Sequence, residues 1–487
     1  MADPLDSPPV AEPRLYRPAV WLVRLLERAF FRKVQAVGLE HVPESGGGVI
    51  VSWHPNGLVD PALILTRCPR RVVFGARHGL FRWPILGPVM RELGTVPIYR
   101  AADLPAERTD ERRSANRQSL DALAARVAAG ELSALFPEGV SHDRPHPVEL
   151  RTGAARLYYR ALELTGEGAP APVILPVGLH YDKKKTFRSD VLVWFHAPLA
   201  LDGQLARAPG IAQEARASAR QLTARIEEVL GEVVQATDDW ETYRLLHRAR
   251  KLLRAEAAAR EGVDPGRPDL EQKVAAFARI RQGYYALLGA DPGRVAELRE
   301  RVEKYAADLD ALGIQDHHLD RPPRLLTPWL GLLLSLQAVF VFLLLPPLLL
   351  VGYVVNLPPY MAVASITRLA AKKRKDVASL KIMIGALVFP LAWIVAGVLG
   401  ALAHAQLEEL FPRLPASPEA AGVVLVVLAI VGGLVSLEYL RVARETARAV
   451  RIRLTRARRR FAWGRLRVER RRLYDAIMAE VDGESPG

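Results

Sequence analysis

Gly48-Val49-Ile50-Val51-Ser52-Trp53-His54-Pro55-Asn56-Gly57-Leu58-Val59-Asp60 is the stretch on which the reading of the fold turns. The apolar run Gly48 to Val51 reads as a short buried strand, and Pro55-Asn56-Gly57 is a turn signal directly after it. The strand delivers a histidine onto the turn, and an aspartate closes it. A histidine exchanges a proton near neutral pH. A carboxylate a few residues away can hold its ring and stabilise the imidazolium that forms. His54 and Asp60 therefore read as a base and its orienter.

Outward from this stretch, residues 37–200 alternate between strand and helix patterns. Strand candidates are Gly48–Trp53, Arg71–Ala76, Thr95–Ile98, Ser133–Phe136, Val173–Leu179 and Val191–Phe195. Helices fit between them, notably Glu107–Ala129 and Thr152–Leu164, with Ile211–Val234 following. That order predicts an α/β domain over 37–235, a sheet covered by helices. On the N-terminal side, 1–13 reads as a disordered lead without a secretory signal. Residues 14–36 read as an amphipathic helix with an apolar face and a basic rim, of the kind that lies on anionic lipid. Beyond the domain, 236–320 is rich in Ala, Leu, Arg and Glu and reads as three helices, Trp240–Glu261, Asp269–Leu288 and Asp291–Leu312.

The chain has 487 residues, a formal charge of +14 and a sequence pI near 10.0. That length implies more than one domain, and the charge implies an anionic partner. A single cysteine, Cys68, excludes an intramolecular disulfide and a cysteine-built metal cluster. No charged residue occurs from Leu325 to Thr367, about twice the ~20 residues one span needs. Residues 325–440 read as a membrane domain, with 325–367 a hairpin or re-entrant segment and 382–403 and 421–440 as spans. Arg368, Lys372, Lys373, Arg374 and Lys375 form a basic loop, and 441–487 reads as a basic cytoplasmic tail. The positive-inside rule puts both basic segments, and with them the α/β domain, on the cytoplasmic side. A bacterial inner membrane is the expected location. The tail arginines fit anionic headgroups better than nucleic acid, because they directly follow a span.

Four stretches place polar residues where a strand ends: His54 to Asp60; Gly94 to Arg100; Phe136-Pro137-Glu138-Gly139-Val140-Ser141-His142 with Arg151-Thr152-Gly153; and Leu175 to His180. Strand ends and the loops after them form the ligand crevice of an open α/β sheet. An arginine there matches a phosphate by paired hydrogen bonds. In this order and spacing the four resemble the blocks of the glycerolipid acyltransferase superfamily, over roughly residues 37–200. Five residues separate His54 from Asp60 where most of the superfamily has four, and Val140-Ser141-His142-Asp143-Arg144 stands where Thr-Arg is usual. Both departures, and Phe187-Arg188-Ser189, resemble the fungal-type glycerol-3-phosphate/dihydroxyacetone-phosphate acyltransferases.

The resemblance implies direct acyl transfer from acyl-CoA or an acyl carrier protein to a glycerol-phosphate acceptor, with no cofactor and no metal. It assigns His54 as the base and Asp60 as its orienter. Arg100 would hold the acceptor phosphate, with Arg151 and Arg144 as further candidates. Glu138, Gly139 and Pro176 would shape the substrate site, and backbone N–H groups would stabilise the oxyanion. A lysophosphatidic acid or other lysophospholipid acceptor is the alternative. A serine hydrolase is disfavoured, because there is no Gly-x-Ser-x-Gly elbow and Ser52 lies on the strand before His54. A non-catalytic membrane scaffold is the remaining reading.

Overall fold

Runs of valine, isoleucine and leucine form the strands, and alanine- and arginine-rich stretches form the helices between them. The computed structural model describes residues 15–83, 86–99, 109–203, 205–209, 212–264, 266, 268–320, 346–370 and 377–481. Contacts divide the chain into two units, Met1–Trp240 with Lys373–Ser379, and Glu241–Lys372 with Leu380–Gly487.

The first unit contains, in order, α1 (Tyr16–Phe30), β1 (Lys33–Val37), β2 (Gly48–Ser52), α2 (Val59–Arg67), β3 (Val72–Arg77), α3 (Leu86–Glu92), β4 (Val96–Ile98), α4 (Thr109–Ala128), β5 (Leu132–Leu135), α5 (Gly153–Leu164), β6 (Val173–Tyr181), β7 (Asp190–Phe195) and α6 (Ala212–Val233). The seven strands form one sheet in the order β1-β7-β6-β2-β5-β3-β4. The β6–β7 pair is antiparallel and every other pair is parallel. β2 is buried along its whole length, as a central strand covered on both faces must be. Val49, Val51 and Val73 pack with Leu123 of α4, Leu157 of α5 and Leu222 of α6. Ile50, Val72 and Phe74 alternate with them in their strands and are also buried. Here the sheet covered by helices, as read from the sequence, is what the chain forms.

One expectation fails in this unit. The amphipathic helix does not run through 14–36. It ends at Phe30, and Lys33–Val37 is a strand paired with β7, Val34 opposite Val191. The break is fixed by neighbours distant in sequence. The Arg188 N–H donates to the Phe30 carbonyl, and the Arg32 guanidinium grips Asp190.

The second unit contains α7 (Trp240–Arg260), α8 (Leu270–Ala290), α9 (Pro292–Leu312), α10 (Pro346–Ala370), α11 (Val377–Leu410), α12 (Pro418–Arg458) and α13 (Arg460–Val481), apart from the end residues that contacts assign to the first. Asp269 and Asp291 cap α8 and α9 by accepting N–H bonds from Gln272 and Arg294. Among the described residues, three helices are long and apolar enough to cross a membrane, Leu349–Ala370, Val377–Leu410 and Pro418–Arg441. The expected hairpin over 325–367 falls partly outside the described residues. Its second half is the helix α10, which starts at Pro346.

The basic tail over 441–487 needs correction. Its first part extends α12, and its second part is α13, packed into the helical core. Trp463, Leu466 and Leu473 recur at helical spacing among the arginines and bury against Leu245, Leu252, Tyr305 and Leu309. Arg470 is 1% exposed, paired with Glu256 at 2.9 Å and Asp320 at 2.7 Å. A cation this buried is held because its carboxylates are buried with it. Arg465 pairs with Asp308 and Arg467 with Asp320, so part of the arginine density serves folding rather than lipid or nucleic acid.

Candidate active site

Parallel strands end on the same edge of a sheet. β6, β2 and β5 are adjacent and parallel where β2 meets each of them, so three of the sequence blocks leave the sheet side by side. β4, which precedes Arg100, lies three positions from β2, about 14 Å away at the usual strand spacing. Arg100 itself lies outside the described residues.

After β2 the chain turns through Pro55-Asn56-Gly57, with Gly57 at φ 54°, and enters α2. Asp60 is therefore in the first turn of a helix, and it is fully buried. Its Oδ2 accepts from His54 Nδ1 at 2.8 Å and from the Asn56 N–H at 2.7 Å. With Nδ1–H donated to the carboxylate, Nε2 is left as the basic nitrogen. The ring stacks on Phe136, centroids 4.2 Å apart and planes at 16°, which restricts its rotation. The five-residue spacing is thus compatible with a direct His–Asp contact.

Glu138 is 2% exposed and faces inward. Its Oε2 accepts the His54 N–H at 2.7 Å, and its Oε1 accepts from His142 Nε2 at 2.5 Å and the Val148 N–H at 3.1 Å. His142 Nδ1 accepts the Arg144 N–H, so its ring is held as the tautomer that donates from Nε2. Glu138 fixes the backbone that carries His54. Gly139 has φ 67°, and a Cβ there would come within 3.2 Å of the Arg151 side chain, which together favour glycine. Arg151 lies over this turn, exposed, and its guanidinium makes no hydrogen bond or ion pair with the described residues.

Pro176 is not brought to this cluster. It sits in the buried middle of β6, opposite Val51. Ser52 Oγ donates to the Val177 carbonyl at 2.7 Å inside the sheet, which leaves no nucleophile there. Where block three usually carries Thr-Arg this chain has Val140-Ser141, and Asp143, two residues further on, binds Lys184 and Lys185. Burial opposes its charge, but the two ammonium groups outweigh that and hold its carboxyl below the usual range. The motif Phe187-Arg188-Ser189 serves the α1–β1 junction: Phe187 packs on Phe30, and the Ser189 carbonyl accepts from Arg32.

Sequence reasoning missed Tyr181. Its hydroxyl donates to Asp60 Oδ1 at 2.5 Å, so both oxygens of the buried carboxylate are engaged. Burial and the adjacent Asp60 charge push the phenol well above its ordinary value, which keeps it a donor. The available signal was a tyrosine at the end of an apolar strand, one residue beyond the fourth block, whose hydroxyl needs a partner when buried.

Residues 33–180 match the acyltransferase family, and residues 264–487 match the glycerol-3-phosphate acyltransferase 2 C-terminal domain. An uncharacterized acyltransferase of Schizosaccharomyces pombe is 24% identical over 63% of this chain and 55% of its own length. Two Saccharomyces cerevisiae proteins also match. Glycerol-3-phosphate O-acyltransferase 2 is 26% identical over 38% of this chain and 23% of its own length. Glycerol-3-phosphate O-acyltransferase 1 is 23% identical over 81% and 62%. The chain therefore spans between about a quarter and three fifths of these relatives. The crystal structure of the 1-acyl-sn-glycerophosphate (LPA) acyltransferase from Thermotoga maritima aligns at 17% identity and a TM-score of 0.29, over 44% of this chain and 82% of that one. The resemblance read from the four blocks is borne out, including its fungal-type branch. The curated relatives are yeast proteins, and the comparisons give no support to a bacterial inner membrane.

Proposed function

We propose that this chain, acyltransferase-like over 33–180 and similar over 264–487 to a C-terminal domain of glycerol-3-phosphate acyltransferases, transfers a fatty acyl group from an acyl thioester to a hydroxyl of glycerol-3-phosphate. The observation that carries the reading is the His54–Asp60 pair, 2.8 Å apart, with Asp60 buried. In this reading Nε2 takes the proton of the acceptor hydroxyl as its oxygen attacks the thioester carbonyl. The C–S bond then breaks, and the thiolate leaves with its electron pair. Asp60 stabilises the imidazolium formed in between. No metal, cofactor or covalent intermediate is required. Arg151, exposed beside the Glu138-Gly139 turn, is positioned to meet an anionic substrate, and Arg100 and Arg144 are further cations for the acceptor phosphate.

The α/β unit lies on the cytoplasmic side in this reading, by the charge asymmetry around the spans. α1 lies on the lipid surface: Trp21, Leu22 and Leu25 are 65%, 42% and 48% exposed on the side away from buried Tyr16, Val20 and Phe30. Anionic headgroups and acyl-CoA or an acyl carrier protein are the anionic partners expected for the charge of +14.

The deciding experiment gives membranes carrying the chain labelled acyl-CoA, with glycerol-3-phosphate or lysophosphatidic acid as acceptor. Turnover with glycerol-3-phosphate is expected, reduced by at least about 10³-fold in His54→Ala. Preference for lysophosphatidic acid would reassign the acceptor. Near-wild-type turnover in His54→Ala would remove the mechanism.

A further inference from the structure

We propose that Ser379, at the start of the apolar helix α11, is a positioning residue for the base His54. The proposal rests on the acyl-transfer reading above. Residues 377–379 fall by their contacts in the first unit, with the α/β domain. Ala378 is fully buried and Ser379 is 8% exposed.

The start of α2 presents a backbone donor that this serine satisfies. Helix starts leave backbone N–H groups without partners, and a side-chain oxygen at the N-cap usually satisfies one. The N-cap of α2 is Leu58, which has no acceptor, and no side chain caps that helix locally. Asp60 is already committed to His54, Asn56 and Tyr181. Ser379 Oγ satisfies another donor of this helix start, accepting the N–H of Leu58 itself at 3.1 Å from 321 residues away in sequence. Its own proton goes to the Asn56 carbonyl at 3.4 Å. A hydroxyl can accept and donate at once, so one atom ties both ends of Asn56-Gly57-Leu58.

That three-residue segment lies between the base and its orienter. Gly57, in the left-handed region at its centre, gives it little stiffness of its own. Without the hydroxyl, the Leu58 N–H is left without its partner in a largely enclosed site, and the segment is free to shift. The His54–Asp60 distance then depends on a residue that opens a candidate membrane span.

The test uses the full chain in membranes, with Ser379→Ala and Ser379→Thr assayed against wild type and normalised to folded protein. Ser379→Ala is expected to lower kcat about tenfold, the order of effect of leaving one buried donor of the positioning turn unsatisfied. Both substrate KM values should stay within about twofold, and the acid limb of the kcat–pH profile should move, because the His–Asp contact is loosened. Ser379→Thr, which keeps the hydroxyl, should recover most of kcat. Unchanged kcat and pH profile in Ser379→Ala overturns the proposal while leaving the acyl-transfer reading intact. So does an equal loss in both variants, which would mean that side-chain fit rather than the hydroxyl matters. A wild-type chain without turnover overturns both.

Discussion

At the residue scale, the site is a buried carboxylate with all its bonds assigned. Asp60 accepts from His54, the Asn56 N–H and Tyr181, and each donor does a different job. The histidine contact sets the tautomer, the backbone contact sets the turn, and the phenol satisfies the remaining oxygen by hydrogen bonding. Hydrogen bonds to a charged group contribute about 1.5–3 kcal/mol. Tyr181→Phe should therefore lower kcat by roughly tenfold to a hundredfold while both KM values hold, because the carboxylate loses a donor without losing its place. Steady-state kinetics checks this; an unchanged kcat would reduce Tyr181 to packing. His54, Asp60 and Glu138 were legible in the sequence because a turn signal and a proline-flanked glutamate mark where strands stop. Tyr181 and Ser379 were not legible as partners of that turn, because sheet pairing and chain packing bring them there from positions distant in sequence.

At the element scale, strands and helices differ in how much of themselves they disclose. α4 to α9 lie within a few residues of their expected bounds, because long helices carry their own periodicity and caps. β1 was hidden inside a helical pattern, since five residues are too few for a period and only pairing with β7 makes them a strand. Among the apolar helices, the informative residue is Asn356 of α10. Its amide donates to the Gly352 and Ala429 carbonyls, at 2.9 and 2.8 Å, and its oxygen accepts from Trp393 Nε1 at 2.9 Å. One side chain thus joins α10, α11 and α12. Intramembrane hydrogen bonds are each worth about 0.6–2 kcal/mol. Asn356→Leu should lower the melting temperature of the detergent-purified protein without changing the KM for either substrate. A melting curve identical to wild type would show that the three contacts do not hold the helices together.

At the scale of the whole molecule, folding keeps several histidines neutral inside the protein. Burial, assisted by a neighbouring histidine, lowers His180 to about 3 and His196 to about 4, and the Nε2 atom of each is buried without a hydrogen-bond partner in the described residues. In the unfolded chain both protonate near 6.5. Between 6.5 and their folded values the unfolded state therefore binds more protons, so their contribution to stability is present above pH 6.5 and is lost as pH falls toward 4. Glu27 works the other way, since burial raises it to about 7 despite Thr66 and Arg67, and its contribution is lost as pH rises from 4.5. In a Glu27→Gln background the urea midpoint should fall between pH 7.5 and pH 5. Replacing His180 and His196 with glutamine should flatten that slope, and a slope unaffected by the replacement would count against the assignment. The sequence by itself determined the class of the molecule: the order of strands and helices, the apolar helices and the histidine on its turn. Each is a local pattern, set by periodicity, length and turn chemistry within a short window. Only the tertiary structure decided that Glu138 faces inward, that Asp143 stands among lysines, that the arginine tail is partly core, and that Tyr181 and Ser379 close on the His54–Asp60 turn. Those outcomes depend on which strands become neighbours and which buried polar atoms must find partners, and no short window of sequence contains both partners.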